Sequence, residues 1–76
     1  MNKVEITSRI KSIAKYNHIL SDIDVNAKFV DLGLDSLDVM ELVMAIEKDF
    51  RISIPDSKIE KFENIQNIVD YIHDLK

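Results

Sequence analysis

The stretch Asp31-Leu32-Gly33-Leu34-Asp35-Ser36-Leu37-Asp38 runs directly into Val39-Met40-Glu41-Leu42-Val43-Met44-Ala45-Ile46-Glu47, and this junction decides the fold. Downstream of it the apolar residues Val39, Leu42, Val43, Ile46 and Phe50 recur at i, i+3, i+4, i+7 and i+11, the stripe of a helix that buries one face. The spacing predicts a helix from about Ser36 to Phe50. A serine at a helix start is expected to act as its cap, its hydroxyl accepting from a backbone N–H two or three residues on. Gly33, three residues earlier, admits backbone angles closed to other residues and lets the approaching chain turn sharply. Ser36 is therefore expected to stand exposed at the lip of the helix.

The same helix has a second apolar stripe. Leu37, Met40 and Met44 follow i, i+3 and i+7 on another side, interleaved with Asp38, Glu41 and Glu47. A helix with one buried face has no need of it. Packing beneath the long preceding loop is one account. A docking patch is the other, since flexible thioethers adapt to several partners and carboxylates around them meet basic rims.

On either side of this helix the pattern is also helical. Ile6, Ile10 and Ile13 form a stripe over residues 3–16, opened by Asn2 and Glu5 in the spacing of a capping box. Residues 17–35 then form a connection too long for a small domain unless it packs upon itself, and Leu20, Ile23, Val25, Phe29, Val30 and Leu32 supply the means. Within it, Asp22-x-Asp24-x-Asn26 imitates the opening of a calcium loop, but Ala27 stands where the turn needs glycine and Gly33 where a bidentate glutamate should close the site. No metal site is expected. Pro55 ends an extended link and holds Ile54 extended. Asp56 or Ser57 then caps a short helix, Ser57 with Glu60, whose inward residues are Ile59 and Phe62. Asn64 caps a last helix carrying Ile65, Ile68, Val69, Ile72 and Leu75. The expectation is an all-α, single-domain bundle over residues 1–76, with three longer helices, one short helix and a long loop between the first two.

Composition narrows the function. No cysteine is present, which excludes disulfides and thiolate metal sites and fits a reducing compartment. No apolar run approaches the roughly 18 residues of a membrane span, and no signal-peptide pattern opens the chain; a cytoplasmic or mature organellar location is expected. The net charge of −4 is uneven: residues 1–30 carry +2 and residues 31–76, which include Ser36, carry −6. A field of that sign repels nucleic acid and steers toward basic protein surfaces. Ser36 lacks the flanking glycines of a hydrolase elbow, and neither His18 nor His73 is placed to serve it as a base, so catalysis by the chain itself is not expected. What remains for an exposed hydroxyl at a helix start is to be modified, with the unpaired N–H groups of the helix favouring a phosphate there.

The run from Asp31 to Asp38, continued through Glu41-Leu42-Val43-Met44-Ala45-Ile46-Glu47 and joined by Ile54-Pro55-Asp56 and Asp70-Tyr71-Ile72, resembles the attachment-site signature of acyl carrier proteins. The likeness covers residue 29 to the C-terminus, with a looser fit in the first helix. It implies that a phosphopantetheinyl transferase moves 4′-phosphopantetheine from coenzyme A to Ser36, whose arm then carries acyl groups as thioesters. It further implies a monomer whose partners are acyl-transferring and fatty-acid-synthesis enzymes with basic surfaces, met by Asp35, Leu37, Asp38, Met40, Glu41, Met44 and Glu47. An acyl chain held between the helices would be lined by Val39, Leu42, Val43, Ile46, Ile54, Ile59, Phe62 and Ile68, all equally suited to ordinary core. Asp35 before the serine argues for acyl rather than peptidyl work. Lys48, Arg51 and a basic first helix depart from the bacterial fatty-acid carriers and imply a different set of partners. Fatty acid synthesis is the first reading. A dedicated carrier for polyketide, aminoacyl or cell-envelope acylation, or an unmodified helical interaction module that ignores Ser36, are the others.

Overall fold

Each long helix begins where a side chain satisfies its first free N–H groups. In the computed structural model, which describes residues 1–20 and 23–75, α1 spans Lys3–Tyr16 and opens with the Asn2–Glu5 capping box. α2 spans Ser36–Phe50, the short α3 spans Asp56–Ile59, and α4 spans Ile65–Leu75. The described residues contain no strand. α4 starts as expected, Asn67 N–H donating to Asn64 Oδ1 at 2.8 Å, while the Asn67 side chain accepts from Glu63 N–H at 2.9 Å.

The helix ends are less conventional. α1 closes with His18 in the left-handed region (φ 57°), where Ile19 N–H reaches back to the Ala14 carbonyl and His18 N–H to that of Lys15. α2 closes the same way on Arg51 (φ 57°), with Ile52 N–H bonded to the Glu47 carbonyl. Glycine is the usual occupant of such positions because it has no Cβ to crowd the carbonyl. Here the only glycine, Gly33 (φ 80°), is placed instead in the loop before α2.

The core is built from the stripes the sequence displays. Ile6, Ile10, Leu42, Val43, Ile46, Ile65, Ile68, Val69 and Ile72 are fully buried, with α1 packed against both α2 and α4. Four expectations need correction. The cap of α3 is Pro55, without any side-chain bond, so neither Asp56 nor Ser57 caps it; one turn held by the fixed φ of proline leaves little for a cap to add. Leu75 is half exposed, because the stripe outlasts the helices that cover it. Val30 points outward at 72% exposure, while its neighbour Phe29 is buried and anchors the long loop. The cap of α2 is Asp35 rather than Ser36.

That loop is tied down through its backbone as well as its apolar side chains. Phe29 N–H donates to the Glu63 carbonyl at 2.8 Å, and Gln66 N–H to the Val25 carbonyl at 3.0 Å, fixing the approach to α2 against the α3–α4 link. Asp22 of the calcium-like run lies outside the described residues; Asp24 accepts from Asn26 N–H at 3.0 Å in a local turn.

Candidate functional site

Asp35 and Asp38 shape the start of α2. Asp38 N–H donates to Asp35 Oδ1 at 2.9 Å, and Asp35 N–H donates to Asp38 Oδ2 at 3.1 Å, a reciprocal box built wholly from aspartates. This explains why Ser36 is not the cap. An ionised carboxylate accepts more strongly than a neutral hydroxyl and complements the positive end of the helix dipole. Ser36 becomes the first helical residue, exposed, and its hydroxyl takes no part in a hydrogen bond among the described residues. The cap thus frees the group that the sequence had seemed to assign to capping.

Beside Ser36 lies a groove of about 490 Å³ between the long loop, the first half of α2 and α3. Its apolar wall comes from Phe29, Leu34, Val39, Ile59 and Phe62, the last held edge-on against Tyr71 with ring centroids 5.7 Å apart. Of the residues considered for an acyl pocket, Val39, Ile59 and Phe62 line this groove. Leu42, Val43, Ile46, Ile54 and Ile68 are buried in the core behind it. Phe29 and Leu34 were missed as lining; their signal was only that a long loop must bury something. The rim is charged, with Lys28 and Glu63 3.9 Å apart and Asp35, Asp56 and Glu60 nearby.

The second stripe of α2 is uncovered. Leu37, Met40 and Met44 are 71%, 39% and 62% exposed, so they do not pack beneath the loop. Asp35 and Glu41 flank them in the open, while Asp38 is partly enclosed by its own box. Glu47 differs from these: it is half-buried, and its Oε2 accepts from Ile54 N–H at 2.8 Å, tying the link after α2 back onto the helix. Sequence reasoning grouped it with the surface carboxylates because a bond spanning seven residues leaves no local pattern.

These residues fit the start of α2 to hold a phosphate ester. The hydroxyl is exposed, the Ser36 and Leu37 N–H groups make no hydrogen bond among the described residues, and the adjoining groove has an apolar wall.

A family model described as "Phosphopantetheine attachment site" matches residues 5–72. The acyl carrier protein of Helicobacter acinonychis is 51% identical over 57 residues, covering 74% of this chain and 73% of its own. That of Campylobacter concisus is 60% identical over 45 residues, covering 59% and 58%. The chain belongs to the acyl carrier protein family. Among solved structures, an acyl carrier protein of Thermotoga maritima superposes with a TM-score of 0.83 at 29% identity, over 97% of this chain and 89% of that one. The matched segments span about three-fifths of the Campylobacter relative's length, and the helical fold agrees with the family along nearly the whole chain. The prosthetic group that goes with the family is 4′-phosphopantetheine.

Proposed function

We propose that the chain is a carrier rather than an enzyme, bearing acyl groups in fatty acid synthesis, with Ser36 Oγ as the point to which 4′-phosphopantetheine is joined. The observation that supports this most is the division of labour at the start of α2: Asp35 caps, and Ser36 is left exposed and unbonded. When attached, the arm supplies a terminal thiol that carries an acyl group as a thioester. In its formation Ser36 Oγ takes the phosphopantetheinyl phosphorus of coenzyme A, the bond to the nucleotide part breaks, and the serine proton leaves with a base of the transferase.

The residues of the chain hold the ester and present it. The unpaired Ser36 and Leu37 N–H groups would hold the phosphate of the attached arm, an interaction worth about 0.3–1 kcal/mol at an exposed helix start. Asp35 and Asp38 oppose it by like charge, so a basic transferase surface or a magnesium ion has work to do during transfer. Val39, Ile59 and Phe62, with Phe29 and Leu34, form the wall along which the first carbons of an acyl chain would lie. Leu42, Val43, Ile46, Ile54 and Ile68 bound the space into which a longer chain would have to press. Leu37, Met40 and Met44, with Asp35, Asp38 and Glu41, form the face met by the transferase and the acyl-handling enzymes, while Glu47 is engaged by Ile54 N–H. No described helix is long and apolar enough to cross a membrane, and a monomer in the cytoplasm is the setting that fits this role.

Incubation with coenzyme A, magnesium and a broad-specificity phosphopantetheinyl transferase is expected to add one phosphopantetheine to the chain. The product is expected to accept a fatty acyl group as a hydroxylamine-labile thioester, and Ser36→Ala to accept neither. Should the chain stay unmodified while a control carrier is modified, the interaction-module reading replaces this one.

A further inference from the structure

The far end of α2 carries a second surface that the carrier role of Ser36 leaves unused. A groove of about 610 Å³ runs between the second halves of α1 and α2, floored by Ile13 and Ala45 and edged by Tyr16, Lys48 and Arg51. Three features set it apart. First, its cations are unequal. Arg9 is committed to the fold, its Nε 2.7 Å from Asp49 and its guanidinium 5.4 Å above the Phe50 ring, whereas Lys48 and Arg51 are exposed and form no ion pair among the described residues. Second, Tyr16 stands 77% exposed at the rim, a large amphipathic side chain that contributes little to the core. Third, Arg51 holds a left-handed backbone without being glycine, a conformation that carries some strain.

The groove is continuous with the exposed face of α2. Leu37, Glu41, Met44 and Lys48 stand at i, i+4, i+7 and i+11, one stripe of the helix, so that the face is acidic at Glu41 and basic at Lys48. A partner lying along this stripe meets both signs in a fixed order, which sets its direction along the helix as well as its position.

We infer that the Tyr16/Lys48/Arg51 groove is a second docking contact and takes an acidic segment of a partner protein, with carboxylates on Lys48 and Arg51 and an aliphatic side chain against Ala45 and Ile13. Charge complementarity selects this occupant. A short segment is favoured over an anionic bilayer. An extended anionic surface would meet Asp38 and Glu41 along the same helix as well as Lys48 and Arg51, whereas a segment seated in the groove meets the cations alone, Asp49 being paired with Arg9. The inference rests on the carrier reading for the nature of the partner, an enzyme that handles the acyl arm. Its test does not use the arm.

The unmodified 76-residue chain, labelled with ¹⁵N, is titrated at low salt with the acetylated amide peptide Glu-Glu-Leu-Glu-Glu and with its Gln-Gln-Leu-Gln-Gln analogue. Shift changes are expected at the amides of Ser12, Tyr16, Ala45, Lys48 and Arg51 with the acidic peptide alone, and the double variant Lys48→Glu/Arg51→Glu is expected to weaken binding at least about tenfold, the effect of losing a single good charge contact. Arg51→Gly is the second variant: it relieves the left-handed backbone, so it is expected to melt higher than the wild type while binding the peptide more weakly. Equal shifts at Lys58 and Lys61, equal binding of the glutamine peptide, or unchanged affinity in both variants would overturn the inference. So would stronger capture of the chain by phosphatidylglycerol vesicles through the same residues. Intact mass after transferase treatment separates the two readings: modification without peptide binding removes this inference alone, and peptide binding without modification supports the groove as a docking contact while removing the carrier reading and, with it, an acyl-handling enzyme as the partner.

Discussion

Leu42, Val43 and Ile46 are fully buried on one face of α2, whereas Leu37, Met40 and Met44, no less apolar, stand open to solvent on another. The difference separates residues that make the fold from residues that the fold makes available. Burial of an aliphatic side chain contributes roughly 1.5–3 kcal/mol, so the first set is accounted for by stability alone. The second set gains nothing of that kind from the chain itself. On the function proposed above, the exposed apolar stripe beside Ser36 and among carboxylates serves contact with other proteins.

The largest effect that would sharpen this contrast is on the buried face. Ile46→Ala is expected to lower stability by about 2–5 kcal/mol in chemical denaturation, a large share of what a domain of this size possesses. If the loss were under about 0.5 kcal/mol, the value typical of surface positions, the division between the faces would fail. The approach to Ser36 comes next. A Cβ at Gly33 meets no atom within 4 Å, so the cost of Gly33→Ala is that of the left-handed backbone alone, about 1–2 kcal/mol, read in the same unfolding curves. Asp35→Ala removes the cap and should cost about 1 kcal/mol in the same unfolding curves. Were Asp35→Ala neutral while Ser36→Ala destabilised, the serine would be the cap after all.

On the exposed face the order reverses. Met44→Ala is expected to change stability by less than about 0.5 kcal/mol and yet to slow acyl transfer from the loaded chain to a partner enzyme. The smallest effect belongs to the α1–α4 seam. Gln66 Nε2 and the Lys3 ammonium, each 3.0 Å from Asp70, hold its carboxyl below the usual carboxylate range, the Gln66 bond being the larger cause. A carboxylate with a lowered folded-state pKa adds stability that is present above its unfolded value and lost as the pH falls through the folded one. Because the pair is nearly half exposed, the contribution is screened to under about 1 kcal/mol. Acid unfolding of Asp70→Asn, compared with the wild type, should lack this small component.

The helices and their order were legible because the period of the apolar residues is a direct record of which side each helix buries. That Leu37, Met40 and Met44 stand exposed rather than packed beneath the loop had to come from the structure. Three further features were not legible. The ends of α1 and α2 were hidden because His18 and Arg51 occupy positions where glycine would have announced a left-handed turn. The cap of α2 was misread because Asp35 and Ser36 are both good caps, and only the reciprocal bond with Asp38 decides between them. The lining of the groove could not be separated from the core, since Val39 and Leu42 lie on the same stripe and only the structure shows Val39 lining the groove and Leu42 fully buried.

The central claim is that the capping box leaves Ser36, and no other hydroxyl, to be modified. Tandem mass spectrometry of the transferase-treated chain tests it most directly. The phosphopantetheine increment is expected on the peptide containing Ser36, complete in the wild type and absent in Ser36→Ala. An increment on Ser53 or Ser57, or one that survives in Ser36→Ala, would contradict it.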